Sequence, residues 1–393
     1  MPPKKYLLYG SERYALAILR PLQQVICQRG DQAAWFFDGP GADELTDDER
    51  LLNVSQVRAW QPDVVLTGSN AVPHFFSGIK VQTFHGFNAG KPRHVYIRGF
   101  FDVYCTSGPQ DTSAFKAKAG THGHFAVHET GWPKLDPFLA QLAEQPPPVR
   151  DPPVILYHST FSPSWSAAEI LYETIRDLAK TKPWRWIVTF HPKMHPDTVA
   201  RYRALESDRL RFSDVDNIWE LFPHADLMCS DTSSALNEFL LTHKPVVTFR
   251  NRRPGPQLLN IDAATELAPA IERALARPPE LMAAIRAYAQ QIHPFRDGRS
   301  SERVLDAIAY FDEHEKKHLH AKPVNFWRKL NYAAALATGV PAKARQHTGD
   351  MEPMQVCVET GSVVRAGPSS ADLYHSVLPH ECDSASTPSM AVR

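Results

Sequence analysis

Short apolar runs alternate with amphipathic stretches from the beginning of the chain. Lys5–Tyr9, Ala33–Phe37, Asp63–Thr67, Val81–Phe84, Asp102–Thr106 and Phe125–Glu129 are mostly apolar and read as strands, with a helix over Glu12–Arg29 after the first. Near-continuous apolar strands separated by helical segments predict a parallel sheet covered on both faces. The prolines of Gln145–Pro148 and Pro152-Pro153 then interrupt the pattern. Such a cluster fits neither helix nor sheet and stiffens a connection, which predicts a boundary there; a long surface loop is the alternative.

The alternation restarts after the prolines. Val154–Tyr157, Arg185–Phe190, Leu210–Phe212, Leu227–Cys229 and Pro245–Phe249 read as strands. Ser166–Lys180, Thr198–Glu206, Ser233–Leu241, Ala263–Arg277, Pro279–Gln291 and Ser301–Glu315 read as helices, with a short one at Ile218–Phe222. This predicts a second doubly wound unit of Rossmann type. The expected organisation is an α/β chain with one Rossmann-like domain over 1–144, a proline-rich linker over 145–153 and a second Rossmann-like domain over 154–315. A basic helical extension over 316–343 and a disordered tail over 344–393 follow, the tail because apolar periodicity is lost there.

The chain has 393 residues, enough for two cores, with 43 Lys plus Arg balanced by 43 Asp plus Glu. That balance argues against a nucleic-acid partner and leaves any anionic substrate to a local site. Five cysteines without a C-x-x-C pair argue against a disulfide framework or zinc knuckle. Cys105 and Cys229 end apolar runs, where a thiol acts as a small buried hydrophobe. No apolar run is long enough for a signal peptide or a bilayer span, so the expected location is cytoplasmic. Trp327 within the basic Lys316–Lys329 stretch leaves peripheral contact with the inner membrane face as an option, a solvated helix being the plainer reading.

Ligands of open parallel sheets sit at the carboxyl ends of the strands. Four exits carry candidate chemistry. The first is Phe84-His85-Gly86-Phe87-Asn88-Ala89-Gly90-Lys91, where a histidine suited to proton exchange sits in a loop that glycine lets approach a ligand. The second is His191-Pro192-Lys193, after Thr189-Phe190; nearby His195 reads as a surface residue. The third is Ser230-Asp231-Thr232-Ser233-Ser234, hydroxyl residues at a helix start that cap it or bind phosphate, with Glu238 placed to accept from ribose hydroxyls. The fourth is Asp297-Gly298-Arg299-Ser300-Ser301-Glu302-Arg303, where an arginine meets phosphate or solvent. Asp214-Val215-Asp216 spells a D-x-D, a weak metal signal in a polar loop.

In order along the chain stand His85-Gly86 with Lys91, Gly131-Trp132-Pro133-Lys134-Leu135-Asp136 and His158-Ser159-Thr160-Phe161. His191-Pro192, Ser230–Ser234 and Asp297–Arg303 follow. Together they resemble the CDP-glycerol glycerophosphotransferase family, which includes teichoic acid primases and polymerases. The family pattern has H-G-T-P-x-K, G-Y-P-R-x-D, A-P-T-[WF], R-P-H-P, T-D-Y-S-S and D-G-x-[AS]-S-E-R segments. Phe87-Asn88 replaces Thr-Pro, Thr189-Phe190 replaces Arg-Pro, Thr232 replaces tyrosine and Glu238 stands where aspartate is common.

The resemblance implies a GT-B fold, two Rossmann-like domains facing a central cleft, the first acceptor-side and the second binding the nucleotide donor. It implies transfer of an alditol phosphate from a CDP-linked donor to an acceptor hydroxyl, with CMP released, in synthesis of a cell-surface polymer. The acceptor would be a glycan, a lipid-linked glycan or a polymer. His85 is the expected base and His191 the expected second catalytic group. Gly86, Lys91, Thr160, Asp231, Thr232, Ser233, Ser234, Glu238 and Arg299 are the expected donor or phosphate contacts. The scheme needs no cofactor and no metal ion. A glycosyltransferase or epimerase acting on a nucleotide sugar, and a non-catalytic nucleotide-binding protein, are the alternatives on the same fold.

Overall fold

The computed structural model describes residues 2–87, 95–142, 146–215, 217–326 and 330. The first sheet has six strands: β1 (Lys5–Gly10), β2 (Gln32–Phe37), β3 (Val64–Thr67), β4 (Ile79–Gln82), β5 (Val103–Thr106) and β6 (Ala126–Glu129). Their order is β2-β1-β3-β4-β5-β6. The second sheet has β7 (Val154–Ser159), β8 (Arg185–Phe190), β9 (Leu210–Phe212), β10 (Leu227–Ser230), β11 (Val246–Phe249) and β12 (Leu259–Ile261). Its order is β12-β11-β10-β7-β8-β9, a Rossmann order. All pairings are parallel. The helices are α1 (Tyr14–Gln28), α2 (Val54–Trp60), α3 (Pro109–His122), α4 (Asp136–Leu139), α5 (Ala168–Thr181), α6 (Pro196–Arg203), α7 (Ala235–Leu240), α8 (Leu267–Leu275), α9 (Pro279–Ile292) and α10 (Ser300–Tyr310).

Strand alternation sorts side chains between the two faces of each sheet. Leu8, Leu66, Val81 and Val103 join one core with Leu156, Ile187, Met228 and Val246 of the second sheet, so a single apolar body runs between them. Leu7, Tyr9, Val65 and Tyr104 pack on the opposite face of the first sheet. Ile155, Tyr157, Trp186 and Val188 do so on the second. Cys105 and Cys229 are buried in these cores as apolar fillers, and Cys27 is exposed.

Three expectations are corrected. The fourth strand ends at Gln82, two residues earlier than its apolar run, because Phe84 takes a left-handed φ of 58°. Its start reaches back to Ile79 because Lys80, which interrupts the apolar pattern, is buried with Nζ donating to the carbonyls of Phe76 and Gly78. The helix after Ser234 is only Ala235–Leu240. Finally α10, assigned to the second domain by position, packs on α1 and β5 of the first sheet, so the chain crosses back after α9.

One compact unit spans residues 1–345 and holds both sheets. Residues 146–153 contain neither helix nor strand. Most of the expected basic extension and the whole expected tail, 344–393, lie outside the described residues. Among the described residues no helix is long and apolar enough to cross a membrane.

Candidate active site

Each sheet has a topological switch point, where neighbouring strands lead into loops that part in opposite directions. In the first it lies between β1 and β3, in the second between β7 and β10. Among the described residues, His85, Gly86, Thr160, His191 and Asp231–Ser234 lie on the loops leaving these strands and their neighbours.

On the first sheet, Gly68 follows β3, and its carbonyl lies 3.0 Å from His85 Nδ1. A carbonyl only accepts, so Nδ1 carries the proton and Nε2 is the basic nitrogen of the neutral ring. The close approach requires glycine: a Cβ at Gly68 would stand 2.9 Å from both the Phe84 carbonyl oxygen and Ile18 Cδ1. The Tyr14 ring stacks on His85 with centroids 5.1 Å apart. Gly86 continues the loop with φ 156°, and Lys91 lies outside the described residues. At the neighbouring exit of β2, Asp38 accepts from Tyr9 Oη at 2.8 Å. Burial pushes its carboxyl up to about 6, although the tyrosine bond pulls the other way. Asp38 escaped the sequence reading because it ends a strand with no motif around it.

On the second sheet, His191 Nδ1 accepts from the Lys193 amide at 3.0 Å, which leaves the proton on Nε2. Burial, then the Lys193 charge, lower its pKa, so the neutral donor form is favoured. The Phe161 ring lies 4.5 Å from the His191 ring, and Lys193 Nζ sits 5.9 Å from Phe161. Trp165 is 43% exposed, with the Arg252 guanidinium 4.6 Å from its ring, so this rim pairs aromatic faces with cations. His158 Nδ1 donates to the Thr189 carbonyl at 3.1 Å, and burial pushes its pKa down to about 4. Trp165 and Arg252 carried no sequence signal; only folding brings 165 and 252 together. His195 is exposed and caps α6.

Asp231 requires a correction. Its buried carboxylate accepts from Ser159 Oγ at 2.5 Å, from the Thr160 amide at 3.1 Å and from the Ala167 amide at 3.0 Å. Ala167 is the N-cap position of α5, so the carboxylate fills that helix start itself and fastens the β7 exit to the β10 exit. These bonds give it a positioning role, and the Thr160 amide is committed to it. Thr232 Oγ1 accepts from the Arg252 amide at 3.3 Å, Ser233 Oγ accepts from the Ala235 amide at 3.3 Å, and Ser234 is exposed. Glu238 accepts from Lys134 Nζ at 3.1 Å and from Trp219 Nε1 at 2.5 Å, tying the Gly131–Asp136 turn to α7.

Arg299 is also placed differently. It forks onto Glu302 at 2.9 and 2.6 Å on the surface, while Arg303 pairs with Asp297. The start of α10 is filled by Asp136, which accepts from the Ser300 and Ser301 amides at 2.8 and 2.7 Å. His293, which no motif marked, accepts from the Trp132 amide at 2.9 Å and donates through Nδ1 to the Phe295 carbonyl at 2.8 Å. The two motifs therefore hold each other in place. Of the D-x-D pair, Asp214 is ion-paired to Arg203 and Asp216 lies outside the described residues.

The fold and these loops define a GT-B protein with a histidine at the carboxyl end of each sheet. Residues 77–310, more than half the chain, match the model of the CDP-Glycerol:Poly(glycerophosphate) glycerophosphotransferase family. The chain belongs to that family and is a glycerophosphotransferase-type enzyme. Among solved structures it is similar to the wall teichoic acid polymerase TagF soaked with CDPG, at 14% identity and TM-score 0.53, over 79% of this chain and 88% of that one. It is also similar to S. aureus MnaA with UDP, at 14% identity and TM-score 0.57, over 82% and 100%. A UDP-GlcNAc 2-epimerase from Neisseria meningitidis bound to UDP-GlcNAc aligns at 11% identity and TM-score 0.53, over 78% and 99%. Likeness at this identity establishes the fold. No curated protein sequence is a significant match.

Proposed function

We propose that the protein transfers a glycerol-phosphate-type group from a CDP-linked donor to an acceptor hydroxyl and releases CMP. The observation that carries this reading is the opposite tautomers of the two histidines. His85 has its basic Nε2 set by the Gly68 carbonyl, and His191 has an Nε2–H donor set by the Lys193 amide. A base for the attacking hydroxyl and a donor for the leaving phosphate both speed a phosphoryl transfer. The acceptor oxygen attacks the phosphorus that bears the glycerol, and its proton passes to His85 Nε2. The bond from that phosphorus to the bridging oxygen breaks, and the charge gathering on departing CMP meets His191 Nε2–H and the hydroxyls of Thr232, Ser233 and Ser234. Phe161 and Trp165 offer ring faces to the base, with Lys193 and Arg252 beside the phosphates. The family description makes poly(glycerophosphate) the favoured acceptor.

Purified protein incubated with CDP-glycerol and a glycerol-phosphate primer should release CMP and lengthen the primer. CDP-glycerol and CMP should raise Tm by binding the folded state. UDP release from a UDP-sugar, with CDP-glycerol inert, would replace this reading by the nucleotide-sugar one. Nucleotide binding without turnover of any donor would replace it by the non-catalytic one.

A further inference from the structure

Away from these loops, a cavity of about 410 Å³ opens at the amino-terminal ends of β7 and β8. It is lined by Arg150, Arg185, Arg209, Arg211 and His224, with Asp208 the one acid in the lining. The clustering follows from strand register. Arg185 pairs with Val154, and Arg211 pairs with Ile187, so Arg185 and Arg211 project from the same face of adjacent strands. Two of the guanidinium groups are already engaged: Arg150 with Asp226 at 2.8 Å, and Arg209 with the Lys180 and Lys182 carbonyls at 3.3 and 3.1 Å. Among the described residues, those of Arg185 and Arg211 have no hydrogen-bond or ion-pair partner. In a chain of zero formal net charge, this gathering of basic side chains on one cavity makes a local cationic site.

We infer that this cavity is a second anion site that holds phosphodiester groups of the growing acceptor chain, away from the point of transfer. The inference rests on the poly(glycerophosphate) acceptor proposed above. Guanidinium forks match phosphate oxygens in pairs, and the lining offers two of them without competing protein acceptors. The apolar lining residues Trp186, Ile187 and Leu210 are buried, so the site presents a charged hollow with no apolar anchor for a bilayer, which favours a chain over a lipid surface. β7 runs from the cavity at Val154 to the Ser159 exit, about 17 Å of strand. A polymer of several phosphate units spans that distance while its end is being extended, and the second contact raises the effective concentration of that end.

The test is binding of a fluorescently end-labelled poly(glycerol phosphate) oligomer to the full chain, read by anisotropy without turnover. Failure of the donor chemistry therefore leaves the result interpretable. Arg185→Ser with Arg211→Ser should weaken binding about tenfold and reduce its salt dependence. Both side chains are exposed, so folding should survive, and a normal Tm verifies that. The single charge reversal Arg211→Glu should weaken it as well. In extension assays the same variants should raise KM for long primers and leave KM for CDP-glycerol unchanged. Unchanged oligomer binding in both variants overturns the proposal. So does loss of binding to phosphatidylglycerol vesicles with oligomer binding intact, which would make the site a lipid-headgroup contact.

Discussion

The two sheets share parallel topology, yet their carboxyl ends are furnished in different ways. At the first, Gly68 offers only a carbonyl, and that carbonyl fixes the proton position of His85. At the second, Asp231 is buried between two strand exits and satisfies a hydroxyl and two amides. Asp136 does the same for the start of α10. A carboxylate at a helix start is stabilised by the same amides and dipole that would bind phosphate. Two helix starts that could take an anion, those of α5 and α10, are thus filled by the protein's own aspartates. On the proposed reading the donor meets His191, Thr232, Ser233 and the Phe161–Trp165 rim, while Asp231 holds the β7 exit to the β10 exit.

The sharpest way to break this contrast is His85→Ala. It should lower kcat by ~10²–10⁴-fold with little change in KM for the donor, as expected for loss of a proton-transfer group. Steady-state kinetics with CDP-glycerol check it, and near-normal kcat would remove His85 from the base role. His191→Ala should lower kcat by about 10²-fold, the scale of a lost donor to developing charge, and His191→Asn should recover part of it. An effect on KM alone would make His191 a ground-state binding group.

Asp231→Ala should act chiefly on stability. It leaves the Thr160 and Ala167 amides unsatisfied, at about 1–3 kcal/mol for each buried group before any rescue by water, while Ser159 keeps Ser166 Oγ and the Thr160 carbonyl. Denaturant unfolding reads this directly. A variant as stable as the parent that has lost only donor affinity would restore Asp231 to the ligand.

Smaller in scale is a pH effect. Burial pushes His293 and His158 down to about 4. The folded state therefore holds them neutral while the unfolded chain protonates them near the ordinary 6.5. Their contribution is fully present above about 6.5 and is lost as pH falls from there towards about 4. Tm should drop on acidification through that window, and His293→Gln should flatten the drop. An unaltered slope would show that the Trp132–His293 contact is not coupled to protonation. The smallest effect is expected at Lys134→Met. Lys134 and Glu238 are only 20% and 13% exposed, but Glu238 keeps the Trp219 Nε1 bond when the lysine is lost, so the expected cost is about 1 kcal/mol, read by denaturant unfolding.

Most strands were legible because period and apolar content are local properties. Those that escaped were short or interrupted. β12 has three residues and is recognisable only through its pairing with β11. Lys80 disguised the start of β4 because a buried lysine is satisfied by carbonyls at Phe76 and Gly78 that the pattern does not display. The candidate histidines were legible because each follows an apolar run closely. The roles of Asp231, Glu238 and Arg299 were not, because a polar side chain near a helix start looks the same in sequence whether its partner is a ligand or another part of the chain.

By itself the sequence determined the doubly wound class, the strand-end position of His85 and His191, and the order of motifs that carries the family. Those follow from periodicity and chain order, which are written one residue at a time. Tertiary structure decided which nitrogen of each histidine bears its proton, which aspartates are consumed internally, that α10 returns to the first sheet, and that Arg185 and Arg211 converge on one cavity. Apart from His191, whose proton position is set two residues away by Lys193, each of these depends on a partner far along the chain, and pairing between such partners exists only once the backbone has brought them within reach.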